Sequence, residues 1–271
     1  MIASLDGPTD IEGFKRRARL LLKRHIEPDE VVWQTEEAQP GLWTDEGYST
    51  AEQPVEPFGV PAWVVPLCES ALLHRDPGRF HLLYRLLWRL VCERDNILRR
   101  DELDADRRAA ARLAREVQRE IHKMRAFLRF FPQGEGEALR HIAWFEPEHH
   151  IVEANAPFFV RRFAQMRWAI FTPQRSIEWD GQVLRGGPGV DRRSLPPIDA
   201  GAALWLTYYE HIFNPARLKL AMMKKEMPRR YWKNLPEAAL IDPLAQAAAA
   251  RGAAMLEAGP TPARRIRPIR T

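Results

Sequence analysis

The chain holds only two cysteines, Cys68 and Cys92, in 271 residues. Two thiols are too few for a disulfide scaffold, and too few for a four-thiolate zinc or iron–sulfur site. Each sits in an apolar run, the setting of a buried and inert thiol. No stretch approaches the roughly 18 consecutive apolar residues that a membrane span needs, so no membrane association is expected. The opening residues 1–7 lack a charged segment followed by an apolar one, which reads against a secretory signal. A cytoplasmic protein with reduced thiols is the expectation. Phosphate loops of the Gly-x-x-x-x-Gly-Lys-Ser/Thr type are missing, as is Gly-x-Gly-x-x-Gly after a strand. The Gly-x-Ser-x-Gly nucleophile elbow is missing too. No cofactor is therefore expected. No internal repeat and no βαβ alternation is visible, which argues against a doubly wound nucleotide fold.

What is present is an ordinary globular composition, 45% apolar and 28% charged. Nine Trp and twelve Phe supply ample material for a core, which excludes disorder throughout. The length suits one large domain or two small ones. Lys and Arg outnumber Asp and Glu by 41 to 36, a net charge of +5.

Apolar spacing predicts a basic amphipathic helix over residues 11–25. A proline-rich connector (Pro40, Pro54, Pro57, Pro61, Pro66) follows. A long helix is predicted over residues 79–100, with Asp76 as its cap and Pro77 at its first position. Another runs from Asp104 to about Met124, with Leu113, Val117, Ile121 and Met124 as its apolar stripe. Residues 125–131 and 140–146 read as partner strands, and residues 148–163 as a helix. Residues 167–172 read as a strand. Residues 176–179 and 182–185 form a hairpin turning at Asp180-Gly181. Residues 186–197 read as a loop, residues 202–227 as a helix and residues 238–256 as an Ala-rich helix. Trp88, Trp144, Trp168 and Trp205 sit at core spacing.

The expected fold is α+β: a helical part over about 8–124, then a sheet-containing part over 125–257. Its middle holds a small antiparallel sheet of four or five strands, with helices after it. Residues 1–257 are read as one domain and 258–271 as a disordered basic tail.

Three features could carry chemistry. Glu146-Pro147-Glu148-His149-His150 gathers two carboxylates and two imidazoles at a strand-to-helix junction, with His141 five residues earlier. These are acid/base and metal-ligating groups. The spacing matches no helical zinc motif, so no metal is expected, and the carboxylates could equally sit at a helix start favoured by its dipole. Second, two basic clusters stand out. Residues 107–129 hold eight Lys/Arg against Glu116 and Glu120. Residues 210–233 hold seven against Glu210 and Glu226, and include Arg229-Arg230-Tyr231-Trp232-Lys233. Cations interleaved with rings suit phosphates and stacked bases, though a solvated helix face has the same composition. Third, Gly186-Gly187-Pro188-Gly189 is the densest glycine run, a loop or a phosphate cradle.

The runs His74–Phe80, Leu83–Leu90, Ile121–Phe127, Ala143–His149, Ala156–Phe163 and Met222–Pro236 together resemble a bacterial family of proteins assigned to DNA metabolism or DNA repair. In some members this module is fused to a UdgX-type uracil-DNA glycosylase. In others it stands alone, encoded beside a radical S-adenosylmethionine protein. The resemblance covers roughly residues 8–257. The chain ends at Thr271, which leaves no room for the glycosylase fold. The basic stretch at 264–267 has no histidine. Neither glycosylase activity nor covalent uracil capture is therefore expected.

The resemblance implies a DNA-repair accessory protein that works with such a partner. It would bind DNA through Lys123, Arg125, Arg129, Lys224, Lys225, Arg229, Arg230 and Lys233, with Tyr231 and Trp232 stacking on an exposed base. An alternative is a nucleic-acid-processing enzyme using His122, Glu146, Glu148, His149, Arg161 and Arg162. A third is a protein-interaction scaffold without DNA contact. One geometric test separates them: whether Lys123 and Arg129 converge with Arg229 and Lys233 around a groove that holds His149, or point to opposite sides.

Overall fold

The computed structural model describes residues 1–35, 58–195 and 227–235, with isolated positions 238, 240, 243 and 246. Among the described residues the longest helix is α5, Ala105–Phe127. Asp104 caps it, accepting the N–H groups of Asp106 and Arg107. That satisfies donors a helix start leaves open. Leu113, Val117, Ile121 and Met124 are buried, as their spacing predicts. The helix outruns its expected end by three residues.

Against α5 pack α2 (Val64–Leu72) and α3 (Arg79–Val91), and α1 (Ile11–Lys23) packs on α3. Leu83, Leu86 and Leu90 of α3 have no exposure, and each contributes about 2 kcal/mol by burial. The helix predicted over 79–100 is broken. Arg94 adopts a left-handed φ of 52°, and Asp95 accepts the N–H groups of Ile97 and Leu98 to start a separate α4, Asn96–Arg100. The expected cap is displaced as well. Asp76 Oδ1 closes a turn on the Gly78 N–H at 2.8 Å, and α3 starts only after it.

The described strands form two sheets. β1 (Ile2–Leu5) and β2 (Val32–Thr35) pair in parallel across α1, a unit the sequence reading had not anticipated. The main sheet has the order β3 (Phe131–Gln133), β4 (Arg140–Trp144), β5 (Trp168–Phe171), β6 (Arg175–Trp179), β7 (Leu184–Pro188). The fold is α+β with a helical first half, but the sheet is mixed rather than antiparallel. β4 and β5 run parallel because α6, Val152–Arg162, crosses between them. The βαβ connection judged absent is thus present twice.

Other boundaries moved. Residues 125–127 belong to α5, and α6 starts four residues later than read. The hairpin bends at Gly181, with φ of 102°, inside an Asp180–Val183 closure, so its centre lies one residue later. Gly186 and Gly187 pair with Ile177 and Ser176, so the glycine run is strand rather than cradle. A side chain at Gly189 would strike the Pro173 carbonyl.

Trp144 and Trp168 are buried, and Trp88 packs half-buried against the core. Cys68 is buried, and burial pushes its thiol up to about 12. Cys92 is half-buried and its thiol is raised for the same reason. Among the described residues no helix is long and apolar enough to cross a membrane. Most of the proline connector, the helix read over 202–227, Trp205, most of residues 238–256 and the tail lie outside the described residues.

Candidate functional site

Glu116, Arg119, Glu120 and Lys123 follow one another at helical spacing, so they form a polar stripe along α5 beside its apolar one. Opposite lies the loop between β4 and α6. A third wall is the turn Arg229–Asn234, and a fourth the loop joining α2 to α3, whose Leu73 carbonyl accepts the His150 N–H at 2.9 Å. Between them is an open groove of about 960 Å³, lined by Arg119, His122, Lys123, Glu148, His149 and Arg230 with Glu116 and Glu120.

Glu120 organises the groove. Only 2% exposed, it accepts the His149 N–H at 2.8 Å, the Glu148 N–H at 3.0 Å and Arg230 Nη2 at 3.2 Å. Burial raises its pKa in spite of these donors. Arg230 also pairs with Glu148, whose carboxyl it holds below the usual range. Arg230 Nη2 reaches the Tyr231 hydroxyl at 2.6 Å too. The two carboxylates are thus pushed apart, one up and one down, the usual arrangement for dividing acid and base roles.

Behind Glu148 the His149 and His74 rings lie 4.2 Å apart. Burial and then the His74 ring push His149 down to about 4, so it is neutral at pH 7. His74 Nδ1 accepts the Asp76 N–H at 3.0 Å, and His149 Nδ1 accepts the Arg75 N–H at 3.4 Å. A backbone N–H only donates, so Nδ1 is the accepting nitrogen in each ring. The Nε2–H of His74 donates to Glu116 at 3.0 Å. One donor atom each from His74, Glu116 and His149 lies within 4.8 Å of the others, the spacing of a metal cage. A metal there would bind a ring nitrogen of each histidine and displace the His74–Glu116 hydrogen bond. The arrangement works as a hydrogen-bonded acid–imidazole array.

Of the residues picked from sequence, His122, Lys123, Glu148, His149 and Arg230 meet in this groove. Glu146 does not line it, and accepts the Trp144 indole N–H at 2.9 Å. Arg161 and Arg162 stand at the far end of α6. Arg125 bonds Asn155 at 2.8 Å, and Arg129 the carbonyls of Ala126 and Leu128. Tyr231 is a correction. It is 3% exposed and packed between Phe127 and Phe145, each 5.5 Å away, so no face is left for a base. Trp232 is half-buried and donates to the Met227 carbonyl, with Arg229 set 5.8 Å over its ring. Lys224, Lys225 and the Lys233 side chain lie outside the described residues.

Sequence reasoning missed His74, Glu116 and Glu120. The signal for the last two was available: carboxylates four apart on a helix share a face, and Glu120 borders the apolar stripe at Ile121. His74 had no local signal, since tertiary packing alone brings it to His149.

A family model described as a domain of unknown function, DUF4130, matches residues 77–237. No curated protein and no solved structure matches the chain.

Proposed function

The chain belongs to the DUF4130 family, and from that premise together with the groove we propose that it is a nucleic-acid-binding protein of DNA metabolism. The observation that carries this reading is a partial convergence: Lys123 and Arg230 line one groove with His149 and Glu148, while Arg129 and Arg229 do not line it. Arg119 and His122 are exposed on one turn of α5, where their N–H groups can follow a phosphate backbone, while Lys123 is buried in the groove wall at 8% exposure. Arg230 is held by Glu120 and Glu148, so it anchors the wall more than it neutralises phosphate. The resemblance to DNA-repair proteins supports DNA as the polymer and a radical S-adenosylmethionine protein as the partner served.

The test is fluorescence anisotropy with labelled single-stranded, duplex and uracil-containing DNA across a salt series. Binding that weakens steeply from 50 to 200 mM salt is expected. Affinity unchanged by salt, or no binding to any strand, contradicts the proposal.

A second reading, a nucleic-acid-processing enzyme, has one specific observation in its favour. The groove places an ionised Glu148 beside a neutral His149 and a buried Glu120 whose pKa is raised. Clustered perturbed groups in a cleft suit general acid–base work. End-labelled strands incubated with the protein and run on a denaturing gel decide it. Product that Glu148→Gln abolishes supports an enzyme; intact strands throughout support a binding module that presents DNA to its partner. The scaffold reading rests on residues 238–256, most of which lie outside the described residues.

A further inference from the structure

The opposite end of α6 holds a second cavity, of about 620 Å³. His141 at the start of β4, Arg161 and Arg162 in the last turn of α6, and Arg167 line it, with Phe163 and Met166 as apolar wall. The crossover explains the gathering. The His141 N–H donates to the Arg167 carbonyl at 2.9 Å, so β4 and β5 start side by side, and the returning helix brings its last turn to that same edge. Eleven helical residues separate this cavity from the groove end of α6, a span of about 16 Å.

The helix dipole accounts for basic residues in a last turn. It does not account for an open pocket whose described lining residues include no Asp or Glu. Elsewhere on this sheet arginines are neutralised: Arg175 Nε meets Glu153 at 2.7 Å, and Arg140 faces Glu178 at 3.8 Å. Among the described residues neither Arg161 nor Arg162 has a carboxylate partner. His141 Nδ1 is buried and also lacks a hydrogen-bond partner among the described residues. That atom is closed off from the cavity, so it is the guanidinium groups of Arg161 and Arg162, without carboxylate partners among the described residues, that suit an anion.

We propose that this cavity is a phosphate-binding subsite. Arg161 and Arg162 pair with the phosphate oxygens, and Phe163 and Met166 receive the attached sugar or base. That the phosphate belongs to a nucleic-acid strand rests on the function proposed above; the anion chemistry does not. The volume lies in the range of sites for small organic ligands and exceeds what a bare ion needs. The phosphate is either a strand terminus or an internal diester.

The first experiment needs no DNA. The ³¹P line of inorganic phosphate is recorded with the wild-type chain and with the double variant Arg161→Ala/Arg162→Ala, both exposed positions. Broadening by the wild type and none by the double variant is the expected result. No broadening by the wild type, or equal broadening by both proteins, overturns the subsite. Anisotropy with a 5′-phosphorylated and a 5′-hydroxyl strand then identifies the source. A preference of about tenfold for the phosphorylated end, lost in the double variant, assigns a terminus. Equal weakening on both strands, with a salt slope smaller by about 0.7, assigns one internal phosphate. Phosphate binding without binding of either strand keeps the subsite and removes the nucleic-acid reading.

Discussion

Burial leaves His149 uncharged at neutral pH, and that sets a direction for stability. Its folded value is pushed down to about 4 from 6.5, so between those values the unfolded chain binds the extra proton. Stability from this group is complete above about pH 6.5 and is lost as pH falls toward 4, by about 3 kcal/mol. Glu148, lowered by Arg230, adds a loss in the same direction below the ordinary carboxylate value. Glu120, raised by burial, acts the opposite way and offsets part of it. Urea midpoints at pH 7 and pH 5 measure the sum. His149→Gln should shrink the difference between the two midpoints; an unchanged difference places the titration elsewhere. At this scale the sequence was partly legible. Glu148 and His149 stood out as a cluster of acid and imidazole. Their partners Glu120 and His74 did not, because one hides at the edge of an apolar stripe and the other is joined only by packing.

Elements meet through a few buried polar contacts, and Arg79 makes three of them. The guanidinium is 3% exposed and donates to three carbonyls: Leu72 at 2.7 Å, Pro8 at 2.8 Å and Asp76 at 2.9 Å. It lies 4.1 Å over the Phe80 ring, and burial pushes its pKa down to about 10. One side chain therefore ties the end of α2, the loop before α1 and the His74 loop to the start of α3. Arg79→Met strands all three carbonyls and should cost about 3 kcal/mol. Arg79→Lys should recover little, since an ammonium lacks the planar fork. Thermal unfolding of the two variants checks this, and a loss below about 1 kcal/mol in Arg79→Met would contradict it. Helices were legible because α1, α3 and α5 carry strong apolar stripes. The break at Arg94 was hidden, because a left-handed non-glycine residue leaves no mark in the pattern. The parallel pairing of β4 with β5 was equally hidden. Strand alternation says which face is buried, not which neighbour is hydrogen-bonded.

For the whole molecule the question is whether a charge of +5 attracts nucleic acid everywhere or at one place. Arg108 and Arg112 are exposed on α5 and do not line the groove. Arg119 and His122 are exposed on the same helix and do. The deciding measurement is therefore paired: the affinity of Arg119→Ala/His122→Ala and of Arg108→Ala/Arg112→Ala for one labelled single strand at 50 mM salt. If the groove is the site, the first pair weakens binding about tenfold or more, and the second changes it by less than about threefold. Equal losses from both pairs would mean diffuse attraction to a basic surface, and would contradict the groove as the nucleic-acid site.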